Sequence, residues 1–284
     1  MQFSIVIPTL NEEKYLPRLL DNIVKQQGKH DFEIFVVDAE STDQTISVAK
    51  SFSSKLPVKI LRARVRNLSF QRNLGAQRAK GDYLIFLDAD SQIPNNFLQN
   101  LKSELAKCAY LICIPEIKTS RDSLIDQNII KIANYLITVA KYIQRPFAAG
   151  ACLIIHRYTF LHLDGFTITQ LHEKKVLFSE DADFLIRARQ TGIIAAQLKT
   201  VNFIFSFRRI EKEGYLVVAT KYIIAGIEMI LLQATTTTIP YQMGGDYYAD
   251  IGDKQLNKKK LRSMLTKIQK DLSKLVTIES TPKK

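Results

Sequence analysis

The 284 residues contain no tryptophan, three cysteines, and no apolar run of bilayer-spanning length that is free of charge. Each absence excludes something. Cys108, Cys113 and Cys152 are odd in number, sit inside apolar segments and form no C-x-x-C pair. Neither a disulfide framework nor a thiolate metal site is expected, and a reducing, cytoplasmic setting is. The opening MQFSIVIPTL enters a strand-like run without a basic leader, so no cleaved signal peptide is expected. Acidic residues are also in deficit, 28 against 40 Lys/Arg, for a net charge of +12.

That charge is unevenly placed. Lys254 to Lys284 carries ten Lys/Arg against two Asp/Glu. A tail of this kind is not the basic face that duplex DNA requires, and no nucleic-acid partner is expected. Within it, Leu261, Met264, Leu265, Ile268, Leu272 and Leu275 recur at helical spacing between lysines. Such a basic amphipathic helix docks on its own domain, on a partner or on an anionic membrane surface. An apolar content of 46% and a charged content of 24% are ordinary globular values. The length suits one large α/β domain, or a domain with an appendage.

The first hundred residues alternate strand and helix. Strands are expected at Phe3–Pro8, Glu33–Asp38, Val58–Leu61, Tyr83–Asp88 and Tyr110–Ile114. Helices are expected at Asn11–Gln27, Asp43–Phe52, Ser69–Lys80 and Pro94–Lys107. This alternation predicts a mostly parallel sheet with helices on both faces and ligands beyond the carboxyl ends of the strands. Farther on, Asp122–Ile143 reads as a long apolar helix, Ala148–His156 as a buried strand, and Ser179–Gln190 as a helix stopped by Gly192. Glu213–Leu232 is apolar except for a stripe of Glu213, Lys221 and Glu228. Two mid-segment charges argue against a membrane span, leaving burial against the domain or a place in a membrane interface.

The run YLIFLDADS, Tyr83 to Ser91, ends in two carboxylates two residues apart. In an extended strand Asp88 and Asp90 would point to one side. Close carboxylates repel unless a cation or proton intervenes, and their hard oxygens suit Mg²⁺ or Mn²⁺ shared with substrate phosphates. A helix cap would use the same residues, so this motif alone leaves both readings open.

In order, the chain presents SIVIPTLNEEKYL, FVVDAESTDQT, RARVRNLSFQRNLGAQRAKGDYLIFLDADS, AAGACLIIHRYTFLHLDGF and FSEDADFLIRARQTG. Together these resemble the family-two glycosyltransferases, nucleotide-sugar-dependent enzymes of the GT-A fold, over about residues 2–210. The resemblance implies a GT-A domain over 1–210, with a nucleotide-binding half at 1–115 and an acceptor half at 116–210. The 211–239 helix and the basic tail at 240–284 follow. Pro8, Thr9, Asn11 and Glu12 match the family's nucleotide loop, and Asp38 the aspartate that reads the base. Arg72, with Asn73 and Gly75, matches the basic residue beside the nucleotide and diphosphate, with Arg64 and Arg66 as weaker candidates. Asp88 then contributes to nucleotide and metal binding and Asp90 to the metal, Mn²⁺ or Mg²⁺. Glu180-Asp181 matches the family's E-D motif, making Asp181 the catalytic base, with Asp183 as runner-up. Gly150 and Ala151, with Glu180, fall on the acceptor side, and the common G-G-F is here Asp164-Gly165-Phe166. His156, His162 and His172 are expected to be structural. Arg208 and Arg209 either meet the diphosphate or form a surface pair.

The implied reaction is transfer of a single sugar, with inversion, from a nucleoside-diphosphate sugar, UDP-sugar favoured, to a glycan or lipid-linked acceptor. Without tryptophan there is no Q-x-x-R-W motif, which argues against a processive synthase. The glycine-free PTLNEE loop argues against a sugar-nucleotide pyrophosphorylase. A retaining transferase shares the D-x-D, and intact Asp88, Asp90 and Asp181 argue against an inactive scaffold. A peripheral position at the inner face of the membrane would suit the basic tail.

Overall fold

The computed structural model describes residues 1–140, 142, 150–168, 176–177, 180–218, 220, 236–237 and 244–245. Four parallel strands form one half of the main sheet: β1 (Gln2–Thr9), β2 (Asp31–Asp38), β3 (Val58–Arg62) and β4 (Tyr83–Leu87). Burial of almost every residue of β1, β2 and β4 explains why they read as continuous apolar runs rather than alternations. The other half contains β5 (Ile112–Lys118), β6 (Cys152–His156) and β8 (Ala196–Ile204), and the spatial order is β3-β2-β1-β4-β6-β5-β8. Strand β6 lies antiparallel between β4 and β5, while β8 is parallel to β5, so the sheet is mixed but mostly parallel. A short pair, β7 (Val176–Leu177) with β9 (Thr236–Thr237), stands apart.

Helices α1 (Leu16–Val24), α2 (Thr45–Ser51), α3 (Leu68–Arg78) and α4 (Phe97–Lys107) connect the first five strands. Each begins later than, or within a residue of, its expected start. For α1 the reason is local: Asn11 adopts φ 55°, the chain turns through Glu12–Tyr15, and Pro17 sits in the first helical turn. Helix α3 is seated closely on β1 and β2, because a methyl group at Gly75 would collide with Val6 and Val37. Asn67 caps it, accepting from the Phe70 N–H at 2.9 Å. Strand β5 runs past its expected end at Ile114 because Pro115 sits at a register shift, where its missing N–H is tolerated.

Helix α5 (Leu124–Ala140) follows β5, α6 (Arg157–His162) follows β6, and α7 (Glu180–Gln190) ends at Gly192, φ 88°. Helix α8 (Arg208–Glu213) stops at Gly214, φ 84°, where the sequence pattern starts a long helix. The continuation of that segment past Thr220, the amphipathic tail helix and His172 lie outside the described residues. Among the described residues no helix is long and apolar enough to cross a membrane.

Candidate active site

The loops after β1 and β2 are braced against each other. Asn11 Oδ1 accepts from the Thr42 N–H at 2.7 Å, Asn11 N–H donates to Ser41 Oγ at 2.9 Å, and Glu12 N–H donates to Thr45 Oγ1 at 2.7 Å. Asp38, at the end of β2, accepts from Thr9 Oγ1, Ser41 N–H and Ser41 Oγ. Asn11 and Asp38 thus hold the turn whatever else they bind, and Thr9, Asn11, Glu12 and Asp38 are all buried. Pro8, the penultimate residue of β1, pairs with Val37. A further contact comes from far along the chain: Gly245 N–H donates to Leu10 O at 2.8 Å, and a Cβ on Gly245 would collide with Asn11 O.

The D-x-D carboxylates are placed by a turn and not by strand alternation. Strand β4 stops at Leu87, and Asp88 to Ser91 form a turn closed by Ser91 N–H donating to Asp88 O at 2.9 Å. The two side chains then face different cations. Asp88 Oδ1 accepts from Arg72 Nη2 at 2.7 Å, and Asp90 Oδ2 pairs with Arg208 Nε at 2.7 Å. Arg208 also grips Glu12 with both terminal nitrogens, at 2.7 and 2.9 Å.

Arg72 lies beneath the cleft, 1% exposed, rather than in its opening. Its Nη1 donates to Glu180 Oε1 at 2.6 Å, and Nη2 also donates to Gly150 O at 2.7 Å. Burial disfavours its charge, but Asp88, Glu180 and Asp181 outweigh that and raise its pKa. Gly150 is pressed against the next acid, since a Cβ there would lie 3.2 Å from Asp181 Oδ2. Ala151 O accepts from Asp88 N–H and Ser91 Oγ, fixing the turn from the acceptor side. Asp88, Gly150 and the adjacent pair Glu180 and Asp181, three places far apart in sequence, are therefore gathered around one guanidinium. Burial pushes Glu180 up to about 7 against the pull of Arg72 and raises Asp88 above the usual carboxylate range. Burial likewise pushes Glu12 up to about 7, with Arg208 opposing and Asp90 and Asp88 adding to the rise.

The weaker candidates separate cleanly. Asp183 is committed to Arg187 at 3.0 Å and to Thr167 Oγ1 at 2.6 Å, away from Arg72. Arg187 in turn donates to Leu163 O and Gly165 O, holding the D-G-F turn. Asn73 holds the same turn from α3, exchanging both hydrogen bonds with the Phe166 backbone at 2.7 and 2.9 Å. Arg64 and Arg66 are exposed on the β3–α3 connection, and Arg209 pairs with Glu213 at 3.5 Å. His156 stacks edge-on against Tyr83 and His162 is exposed, so neither joins the acidic cluster. Arg208, expected to meet the diphosphate or to form a surface pair with Arg209, instead pairs with Glu12 and Asp90, and nothing in SFRRIEK signals those two partners.

Among the described residues no three His, Cys, Asp or Glu side chains assemble a full metal cage. Asp88 and Asp90 do offer hard oxygen donors at one strand end, which fits a divalent cation completed by phosphate and water oxygens.

A sequence model of Glycosyl transferase family 2 matches residues 4–163. Poly(ribitol-phosphate) beta-N-acetylglucosaminyltransferase TarS of Staphylococcus aureus is 36% identical over 103 residues, 35% of this chain and 18% of that protein. Dolichol-phosphate mannosyltransferase of Pyrococcus furiosus is 37% identical over 102 residues, 36% of this chain and 29% of that protein. The match thus spans less than a third of either relative's length. Among solved structures, S. aureus TarS in complex with UDP-GlcNAc superposes with a TM-score of 0.56 at 22% identity, covering 72% of this chain and 58% of that one. Mannosyltransferase PcManGT from Pyrobaculum calidifontis, in complex with GDP-Man and Mn²⁺, superposes with a TM-score of 0.58 at 20% identity, covering 78% and 64%. At these identities the likeness establishes a shared GT-A fold.

Proposed function

The chain belongs to glycosyl transferase family 2, and on that premise we propose that it moves one sugar, with inversion, from a nucleoside-diphosphate sugar to an acceptor hydroxyl. The observation that carries the reading is the gathering of Asp88, Gly150 and Glu180 on Arg72, with Asp181 pressed against Gly150. An acid for the diphosphate side and an acid for the acceptor side then share one cleft.

In this reading Pro8, Thr9, Asn11, Glu12 and Asp38 line the base and ribose, and Asp88 and Asp90 hold Mn²⁺ or Mg²⁺. When bound there, the cation neutralises charge developing on the leaving diphosphate. Arg72 braces Asp88 and Glu180 from below and keeps both oriented. Asp181, in the first turn of α7, takes the proton from the acceptor hydroxyl, and the positive end of the helix favours its ionised form. A single base on the acceptor side suits a direct displacement and hence inversion. Residues 1–115 serve as the nucleotide half, and 116–210, including Gly150, Ala151 and Glu180, as the acceptor half.

TarS is seen with UDP-GlcNAc and with UDP, which supports a uridine nucleotide here. Relatives named for poly(ribitol-phosphate) and dolichol phosphate support a phosphate-bearing glycan or lipid-linked acceptor. The test is a panel of UDP- and GDP-sugars assayed with Mn²⁺, comparing wild type with Asp181→Asn. The variant should still bind nucleotide while losing about 10²–10⁴-fold in transfer. Near-normal turnover would remove Asp181 from the mechanism, and retained configuration in the product would exclude direct displacement.

A further inference from the structure

Resting on the reading that Asp88 and Asp90 hold the divalent cation, we propose that Arg208 is a positioning residue that occupies Asp90 in the nucleotide-free protein. It yields that carboxylate when cation and diphosphate enter together. Arg208 opens α8, well beyond the residues 4–163 that match the family. It is nonetheless fixed against the turns that follow β1 and β4. Its Nη atoms hold both oxygens of Glu12, its Nε holds Asp90 Oδ2 at 2.7 Å, and its guanidinium carbon lies over the Tyr15 ring, 5.0 Å from the centroid.

The side chains of Arg208, Glu12 and Asp90 are 14%, 6% and 11% exposed, so solvent screens these charges weakly. A cation on Asp90 at an ordinary oxygen distance of about 2.1 Å would lie close to a guanidinium bound to the same carboxylate. Like charges that near disfavour joint occupancy. Arg72 is not equivalent, since it is buried under Asp88 and shared with Glu180 and Gly150. Glu180 offsets the charge of Arg72 and, with Gly150 O, holds it in place beneath Asp88, so the repulsion is relieved at Arg208, the arginine that gives up its carboxylate. A diphosphate offers the displaced Arg208 a new partner, because the planar fork suits phosphate oxygens as well as carboxylate. Cation and nucleotide then bind cooperatively, each strengthening the other by the same factor.

The experiment is Mn²⁺ binding to the full chain, followed by electron paramagnetic resonance, with and without UDP or GDP. Wild type should bind Mn²⁺ weakly alone and more tightly with nucleotide. Arg208→Gln should bind Mn²⁺ alone about tenfold more tightly and lose a similar factor of the nucleotide enhancement. Arg208→Lys, which keeps the charge but not the fork, should fall between them and serves if the glutamine variant does not fold. Unchanged or weaker binding of Mn²⁺ alone by these variants overturns the exchange while leaving the metal assignment intact. If no protein binds Mn²⁺ under any condition, the metal assignment itself fails, and the exchange with it.

Discussion

Glu12 and Glu180 are the carboxyl groups whose burial has the clearest consequence for pH. Each is pushed up to about 7 from the ordinary 4.5, and in each case an arginine pulls the other way without prevailing. The folded chain therefore holds protons there that the unfolded chain has already released. The stability that these two groups contribute is fully present below about 4.5, declines as pH rises toward about 7, and is lost above it. Thermal midpoints measured across that window should show the decline, and Glu180→Gln should reduce its slope. A midpoint that rises with pH over the same range would contradict the assignment. At the same scale, Asp90→Ala should weaken metal-dependent nucleotide binding, and an unchanged Mn²⁺ titration would leave Asp90 a turn residue.

At the level of elements, α3 does the most to assemble the cleft. One helix supplies Arg72 to the acids and Asn73 to the D-G-F turn, and it comes close enough to do so because Gly75 lets it rest on Val6 and Val37. Gly75→Ala should therefore destabilise the fold or displace α3, although alanine is the better helix former in isolation. Loss of the cap in Asn67→Ala should cost about 1 kcal/mol, read as a shift in the urea midpoint at unchanged slope. Much of this element was legible. A helix was expected over Ser69–Lys80, close to the observed Leu68–Arg78, whereas the Asn67 cap came only from the structure. That Arg72 would be buried beneath Asp88 was not legible, because a surface arginine has the same sequence signature.

For the whole molecule, the question is how much the chain beyond β8 contributes. It returns to the cleft at two described points, Arg208 on Glu12 and Asp90, and Gly245 on Leu10. The segment also supplies β9, which pairs with β7 three residues before α7. Deleting the residues after Asp253 removes ten Lys/Arg against two Asp/Glu. At about 1 kcal/mol per basic residue near an anionic surface, the truncated chain should bind anionic vesicles far less well in a co-sedimentation assay. Equal binding would exclude electrostatic anchoring by the tail.

Composition and local pattern alone determined the alternation of apolar runs with helical faces, the placing of polar groups at strand ends, and the order of motifs in the chain. These are properties of neighbouring residues, so they survive in a linear reading. Tertiary structure decided what depends on distance in space. The antiparallel insertion of β6 between β4 and β5 brings Gly150 to Arg72. The turn after Leu87 sends Asp88 and Asp90 to different arginines. The return of Arg208 across 196 residues to Glu12 sets the charge balance of the cleft. The physical reason is that burial and long-range pairing choose among residues of identical local appearance.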